Sequence, residues 1–469
     1  MSSRFSVLCV PVVTAFACCL ASGASRAVAG EAIDVPAERL AAREAFRDKA
    51  FGIFIHFGAY SVGGEHEWHM KRKRMTVDEY REQIVEKFNP VDYDPAEWVD
   101  VFKKSGAQYV TITSKHHDGF ALFDSKLTDW DVVDSSPYGK DILKMLADAC
   151  GEADFPLFFY HSHLDWHHPD YFPFGSTANP KGKEKGRWTA GREPGGDFGK
   201  YIDFMNGQLA ELLCGAYGPI GGIWFDGWWE QRDRSSKDVR ATRVDWELDR
   251  TYALIHALQP ACLIGNNHHV PVFDGEDFQM FERDLPGAED SKYGKDSVIS
   301  DLPLETCDTM NKHWGWNATD DAWKSPKELI HYLVRSSGQN ANLLMNVGPK
   351  PDGTLPPESV ERLLAMGEWL GDYGETIYGT RGGPAGSEAW GVTTAKGDKI
   401  YVHLLDVPEA DDDGFVTLSG TAGLADGLKL FGSGAYVETR RDADGNLRLV
   451  PPAGAADAID TVFVGTLAD

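Results

Sequence analysis

The chain has 469 residues, 42% of them hydrophobic and 25% charged, with a formal net charge of −26 and a sequence pI near 4.9. That length and balance describe a globular protein with one large domain and a smaller companion. The acidic excess argues against nucleic acid and against an anionic membrane surface as partner, since both require basic patches.

Residues 1–29 read as a signal peptide. Arg4 precedes an apolar core from Val7 to Leu20, and small residues lead to a cleavage point after Ala29 in Ala27-Val28-Ala29-Gly30. The expectation is an exported protein, periplasmic or secreted. A lipoprotein anchor at Cys18 is a second reading, which the missing Leu ahead of it counts against. No other run approaches the ~18 apolar residues of a membrane helix, so membrane insertion is not expected. Oligomerisation is left open.

The basic run Lys71-Arg72-Lys73-Arg74 lies between acidic stretches and reads as a solvated loop face. After the signal, apolar runs alternate with amphipathic segments. Thr76 with Glu79, Asp94 with Glu97 and Ser325 with Glu328 match the capping box, the last two with Pro in the first helical turn. Strands are predicted over Phe51–Phe57, Tyr109–Ser114, Leu157–Tyr160, Gly222–Phe225, Leu263–Asn266 and Ala341–Val347. Alternating βα units imply a parallel sheet, and their number over residues 30–381 implies a (β/α)8-like barrel, with room for irregularity in the later units. From residue 382 to 469 short alternating segments with turns such as Asp444-Gly445-Asn446 imply an antiparallel β-sandwich. Of the seven cysteines, Cys150, Cys214, Cys262 and Cys307 follow the signal without a CxxC; they read as buried free thiols, with one disulfide as the alternative.

The residues at and just beyond each strand end carry the chemistry. His56 closes the first, His116-His117-Asp118 follow the second, and the third runs through Tyr160-His161. Trp224 and Asp226 close the fourth; Asn266-Asn267-His268-His269 follow the fifth. In a barrel these ends converge on one mouth. Imidazoles, Trp faces and carboxylates suit a polyhydroxylated ligand, because they hydrogen-bond hydroxyls and stack on the apolar face of a sugar. The rival is a metal-dependent barrel hydrolase built on His161-Ser162-His163, but that HxH would be expected on the first strand, and no cofactor is needed for the sugar chemistry. Hydrolysis of a glycoside requires a second carboxyl group opposite Asp226. Glu276, Glu282 and Glu289 are candidates, and Glu282 alternates with apolar residues as a strand end does.

These residues resemble glycoside hydrolase family 29, the retaining α-L-fucosidases. The likeness rests on Phe51-Gly52-Ile53-Phe54-Ile55-His56-Phe57-Gly58, Glu67-Trp68, Lys115-His116-His117-Asp118-Gly119-Phe120, Phe123-Asp124-Ser125-Lys126, Trp224-Phe225-Asp226 and the stretch Asn342 to Pro349. It implies an exo-acting hydrolase for fucosylated glycans, with Asp226 as nucleophile and Glu282 as acid/base of the broad-specificity branch. It also implies sugar contacts from His56, Glu67, Trp68, His116, His117 and Trp224. Two departures stand out. Tyr160-His161-Ser162 replaces the Tyr-Tyr-Ser of many members, so Tyr160 and His161 are both candidate contacts, and His268 stands where an Arg is frequent. The alternative from another class is a non-catalytic fucose-binding protein on the same scaffold.

Overall fold

The computed structural model describes residues 35–172, 174–178, 188–193, 195–287, 298–455 and 458–468. The signal-peptide reading over 1–29 and the candidate Glu289 therefore lie outside the described residues. Ala37–Asp469 is one compact unit.

Eight parallel strands form its centre: β1 (Phe51–Ile55), β2 (Val110–Lys115), β3 (Leu157–Ser162), β4 (Gly222–Asp226), β5 (Leu263–Asn266), β6 (Gln279–Glu282), β7 (Leu304–Thr309) and β8 (Ala341–Val347). Their order is β5-β4-β3-β2-β1-β8-β7-β6. The sheet is thus a barrel open at one seam, between β5 and β6, which answers the expected irregularity. Strands β1, β2, β3 and β8 are buried along their whole length, as befits strands with side chains in the lumen on one face and helices on the other. The helix Pro95–Lys104 shows how the outer layer forms. Pro95 opens it, Asp94 accepts from the amides of Ala96 and Glu97, and one face buries Trp98, Val99, Val101 and Phe102. Both expected capping boxes at Thr76 and Ser325 close reciprocally, whereas Asp94 caps alone.

Aromatic rings fill the lower lumen. Phe46, Phe54, Tyr109, Phe158, Tyr160, Trp224 and Phe278 share one cluster. Space for them comes from glycine: a Cβ on Gly52 would sit 2.4 Å from the Tyr109 ring, and one on Gly265 would sit 2.4 Å from Phe278. The seam is held by charge. Asp277, fully buried, accepts from Arg43 Nε and Nη2 at 2.9 and 2.7 Å, pairs with His256 Nε2 at 2.9 Å, and takes the Ile264 amide of β5 at 3.0 Å. The helix Ala37–Arg47 therefore replaces missing sheet hydrogen bonds with a side-chain clamp.

Beyond the barrel, a five-stranded antiparallel sheet and the three-stranded sheet Val416–Leu418, Leu447–Leu449, Thr439–Arg441 share one core of Trp390, Val402, Leu404, Val416, Leu418, Leu447 and Phe463. This is the expected sandwich; its first strand, Arg381–Gly382, straddles the expected boundary. His331 Nε2 to the Ile459 carbonyl at 2.6 Å and Arg335 Nη1 to the Glu388 carbonyl at 2.9 Å tie it to the barrel. The four cysteines among the described residues are free; Cys150, Cys262 and Cys307 are buried and Cys214 is exposed, against the reading that all are buried.

Candidate active site

Asp226 is the last residue of β4, and the chain turns sharply behind it. Gly227 has φ 88°, and a Cβ there would meet Leu164 at 2.7 Å, so glycine suits the turn. The turn swings Trp229 back, and its indole N–H donates to Asp226 Oδ1 at 3.0 Å. From β3 the Tyr160 hydroxyl donates to Oδ2, also at 3.0 Å. The carboxylate is thus gripped on both oxygens. Burial pushes its pKa up while these donors pull it down.

Across the seam stands Glu282, the last residue of β6. Asn267, just past β5, bridges the two carboxyl groups: its Nδ2 lies 3.0 Å from Glu282 Oε2 and 3.4 Å from Asp226 Oδ1. Those two legs cap the separation of the oxygens at about 6.4 Å, below the ~6.5–9.5 Å that an inverting pair leaves for a water molecule. Glu282 is pushed up to about 7, first by burial and then by the charge of Asp226. Its neighbour Arg283 donates to Thr309 Oγ1 and to the Lys312 carbonyl, with its guanidinium 5.0 Å over the Trp314 ring.

Around the carboxylates the histidines are neutral at pH 7. Burial drives His56 and His117 down to about 3 and His116 well below the ordinary range. Hydrogen bonds fix two tautomers. The Asn346 amide donates through Nδ2 to the Trp314 carbonyl, so its Oδ1 accepts from His56 Nδ1 at 2.6 Å. Ser162 Oγ donates to the Leu164 carbonyl and so accepts from His117 Nδ1 at 2.7 Å. In both rings Nε2 is left as an acceptor. The Nε2 of His117 faces Asp226 Oδ2 at 3.6 Å, too far to hydrogen-bond and able to accept from a hydroxyl. Aromatic walls complete the site: Tyr160 stacks on His116 with centroids 5.3 Å apart and on Trp224 at 5.4 Å. Trp68 lies parallel to Trp229 at 6.1 Å and edge-on to His117 at 5.4 Å. Buried Glu67 accepts the Gly315 amide at 2.9 Å, and burial raises its pKa.

The family model for alpha-L-fucosidase matches residues 24–375. The chain belongs to the α-L-fucosidase family. An alpha-L-fucosidase of Branchiostoma floridae is 30% identical over 84% of this chain and 88% of its own length, and the tissue alpha-L-fucosidase of Homo sapiens is 28% identical over 78% and 76%. Among solved structures, alpha-L-fucosidase isoenzyme 1 of Paenibacillus thiaminolyticus is 33% identical, covers 92% of this chain and all of its own, and superposes with a TM-score of 0.75. The Thermotoga maritima alpha-fucosidase is 27% identical over 90% and 96%, with a TM-score of 0.68.

In this α-L-fucosidase, His56, Trp68, His116, His117, Tyr160, Trp224 and Asp226 are linked by ring contacts and hydrogen bonds into one cluster, which Glu282 joins through Asn267 and Glu67 through its chain neighbour Trp68. Two expected residues do not join them. His161 follows Tyr160 on β3, so pleating turns it to the outer face, where its Nδ1 meets Ser114 Oγ at 2.8 Å; the contact from β3 falls to Tyr160. His268 is fully engaged below the mouth, with Nε2 3.0 Å from Glu276 and Nδ1 accepting the Val270 amide. That pairing also occupies Glu276, which receives Tyr252 as well. In place of His268, His269 reaches Glu282 with Nε2 at 3.6 Å. The indole N–H of Trp224 donates to Glu305 at 2.8 Å, so this residue has no hydrogen bond left to give a ligand. The HxH pair shares the outer face of the wall, with His163 packed against Phe225 and Trp246. Among the described residues, the group with metal-ligand spacing is Asp124, Asp131 and Asp134, none of them a strand-end residue. Trp229 and Trp314 are site residues that sequence reasoning did not place there, whereas Asn267 and His269 stood among the residues after the fifth strand without an individual role.

Proposed function

We propose that the protein is a retaining exo-α-L-fucosidase that releases terminal α-L-fucosyl residues from glycans or glycoconjugates, with Asp226 as nucleophile and Glu282 as acid/base. The observation that carries this is the Asn267 bridge, one amide nitrogen within reach of two carboxyl groups of unlike environment, which supports the closer spacing of a retaining pair. Asp226, with two close donors, is the one suited to stay ionised. Glu282, raised to about 7, is the one suited to hold a proton.

In the first step an Asp226 oxygen attacks the anomeric carbon, the glycosidic C–O bond breaks, and the departing oxygen takes the Glu282 proton. In the second, Glu282 removes a proton from water, the water oxygen attacks the same carbon, and Asp226 leaves as carboxylate. His56, His116 and His117 offer neutral nitrogens to the sugar hydroxyls, and Glu67 a carboxyl group. Trp68, Tyr160 and Trp224 supply ring faces. None of these steps requires a cofactor. Arg4, the apolar core from Val7 to Leu20 and the small residues before Gly30 support export before action; N-terminal sequencing of the mature protein tests this.

Asp226→Ala is the test of the reaction. It should abolish hydrolysis of an aryl α-L-fucoside and regain rate in azide with formation of the β-fucosyl azide. Ordinary activity in that variant overturns the assignment.

A further inference from the structure

Asn267 is 2% exposed, stands between the two carboxyl groups, and has as yet no chemical task. Its Nδ2 carries two hydrogens and no lone pair, so it donates to both carboxyl groups and accepts from neither. It also carries no charge. A guanidinium or ammonium in this place would favour the ionised form of both neighbours and strip Glu282 of the proton it must deliver. A neutral donor behaves differently: it strengthens with whichever carboxyl group is anionic and leaves the pair sharing a single charge.

We infer that Asn267 is the positioning residue for the charge and proton that Asp226 and Glu282 exchange, donating to the carboxylate of Asp226 before attack and to that of Glu282 in the glycosyl-enzyme. The inference rests on the roles given to those two residues above. Before the first step the negative charge is on Asp226. When the Asp226–sugar bond forms and the glycosidic bond breaks, the proton of Glu282 leaves with the departing oxygen, and the charge now resides on Glu282, 3.0 Å from Nδ2. The second step reverses the exchange, the proton coming from water.

The two carboxylates do not depend on Asn267 equally. Asp226 keeps Trp229 and Tyr160 at 3.0 Å each, whereas His269 Nε2, at 3.6 Å, is too far from Glu282 for a hydrogen bond. Loss of the amide therefore falls on the Glu282 anion. The other titratable groups facing Glu282 are Asp226 from β4, His269 after β5, Arg283 beside it in the chain, Cys307 on the paired strand β7 and Glu67 after β1. Asp226 and Glu67 push its pKa up and Arg283 pulls it down, while burial keeps the Cys307 thiol neutral.

Asn267→Leu removes the donors while keeping the branching of the side chain, and Asn267→Asp keeps the shape while replacing them with a third carboxyl group. The pH profile of kcat/KM and the time course of aryl alcohol release from an aryl α-L-fucoside read the outcome. In both variants the basic limb, which reports protonated Glu282, should move up by about one pH unit. The first step, which leaves the negative charge on Glu282, should slow about 10- to 100-fold on a fucoside with a poor leaving group, with no pre-steady-state burst, because a Glu282 anion without its donor is the stronger base in the second step. A merely structural role would lower activity without moving the limb. A basic limb within about 0.2 unit of the parent's, or a burst that reveals a slowed second step, overturns the inference, and should the leucine variant not fold, the aspartate variant decides alone. Asp226→Ala run alongside separates the failures. If it is inactive and rescued by azide while the Asn267 variants behave as the parent, this inference falls and the reaction assignment stands; if it is active, the assignment itself falls.

Discussion

Tyr160→Phe deletes one oxygen and its hydrogen bond to Asp226 Oδ2 at 3.0 Å, while the ring that stacks on His116 and Trp224 remains. A hydrogen bond to a charged acceptor contributes about 1.5–3 kcal/mol. Trp229 and Asn267 both donate to the other oxygen, Oδ1, and neither replaces the lost donor on Oδ2, so most of that stabilisation of the anion is lost. At 1.36 kcal/mol per unit the Asp226 pKa rises by about one to two units, in the direction burial already pushes it. The acid limb of kcat/KM, which reports ionised nucleophile in the free enzyme, should move up by the same one to two units. Above that limb the loss in rate should shrink, because the carboxylate that has lost a donor is the stronger nucleophile. Aryl α-L-fucoside hydrolysis across pH, with a thermal midpoint near the parent's as the folding control, is the assay. A uniform fall in kcat/KM with an unmoved acid limb would refute the reasoning and reduce Tyr160 to a sugar contact.

Glu282→Ala should lose far more activity on natural fucosides than on aryl fucosides with good leaving groups in the first step, since only the former need a proton on departure; equal losses in parallel assays would take the acid role from Glu282. Arg43→Leu should cost about 3 kcal/mol in denaturant unfolding, the low end for breaking a buried pair, because Arg39 and His256 still face the fully buried Asp277; an unchanged midpoint would mean that the seam closes without the clamp. Thermal stability should peak near pH 7. His56, His117 and His163 fall to about 3 and His269 to about 4 in the fold, so the unfolded chain binds more protons and stability drops as pH falls from about 6.5. Asp118, Glu282 and Glu305 rise to about 7, so the folded chain binds more protons and stability drops as pH rises from about 4.5 through 7. Scanning calorimetry from pH 5 to 9 checks this, and a maximum at pH 5 would contradict it.

Which strand ends reach the pocket was legible wherever the strand pattern was plain. Asp226 closes an unbroken apolar run, and its turn glycine comes directly after it. Glu282 alternates with apolar neighbours, and β6 places it at the mouth as that alternation requires. The two misplaced residues mark where the pattern runs out. Pleating decides between Tyr160 and His161, because successive side chains take opposite faces, but only the packing of Tyr160 with Phe54 and Trp224 says which face is the lumen. Past β5 even parity is lost. Asn266 ends the strand and His269 adopts φ 62°, a left-handed turn that no apolar spacing announces, and it presents Asn267 and His269 upward while His268 drops onto Glu276. The strand β7, Leu304-Glu305-Thr306-Cys307-Asp308-Thr309, escaped for a related reason. Its lumen-facing Glu305 is polar because it accepts from Tyr109 and Trp224 at 2.5 and 2.8 Å, a requirement set by two other strands.

The open seam ties these observations to the chemistry. In a closed barrel, β5 and β6 would bond along their length and fix the mouth there. Here the pairing is replaced by the Asp277 clamp at the lower end, and at the upper end by Asn267 reaching from β5 to Glu282 of β6. The side-chain amide thus does at the mouth what the backbone amides do elsewhere in the sheet, and it does so between the two groups that exchange charge. Strand geometry, left to itself, delivers one carboxylate per strand end; it is the missing strand pairing that lets a side chain enter between two of them and hold both at once.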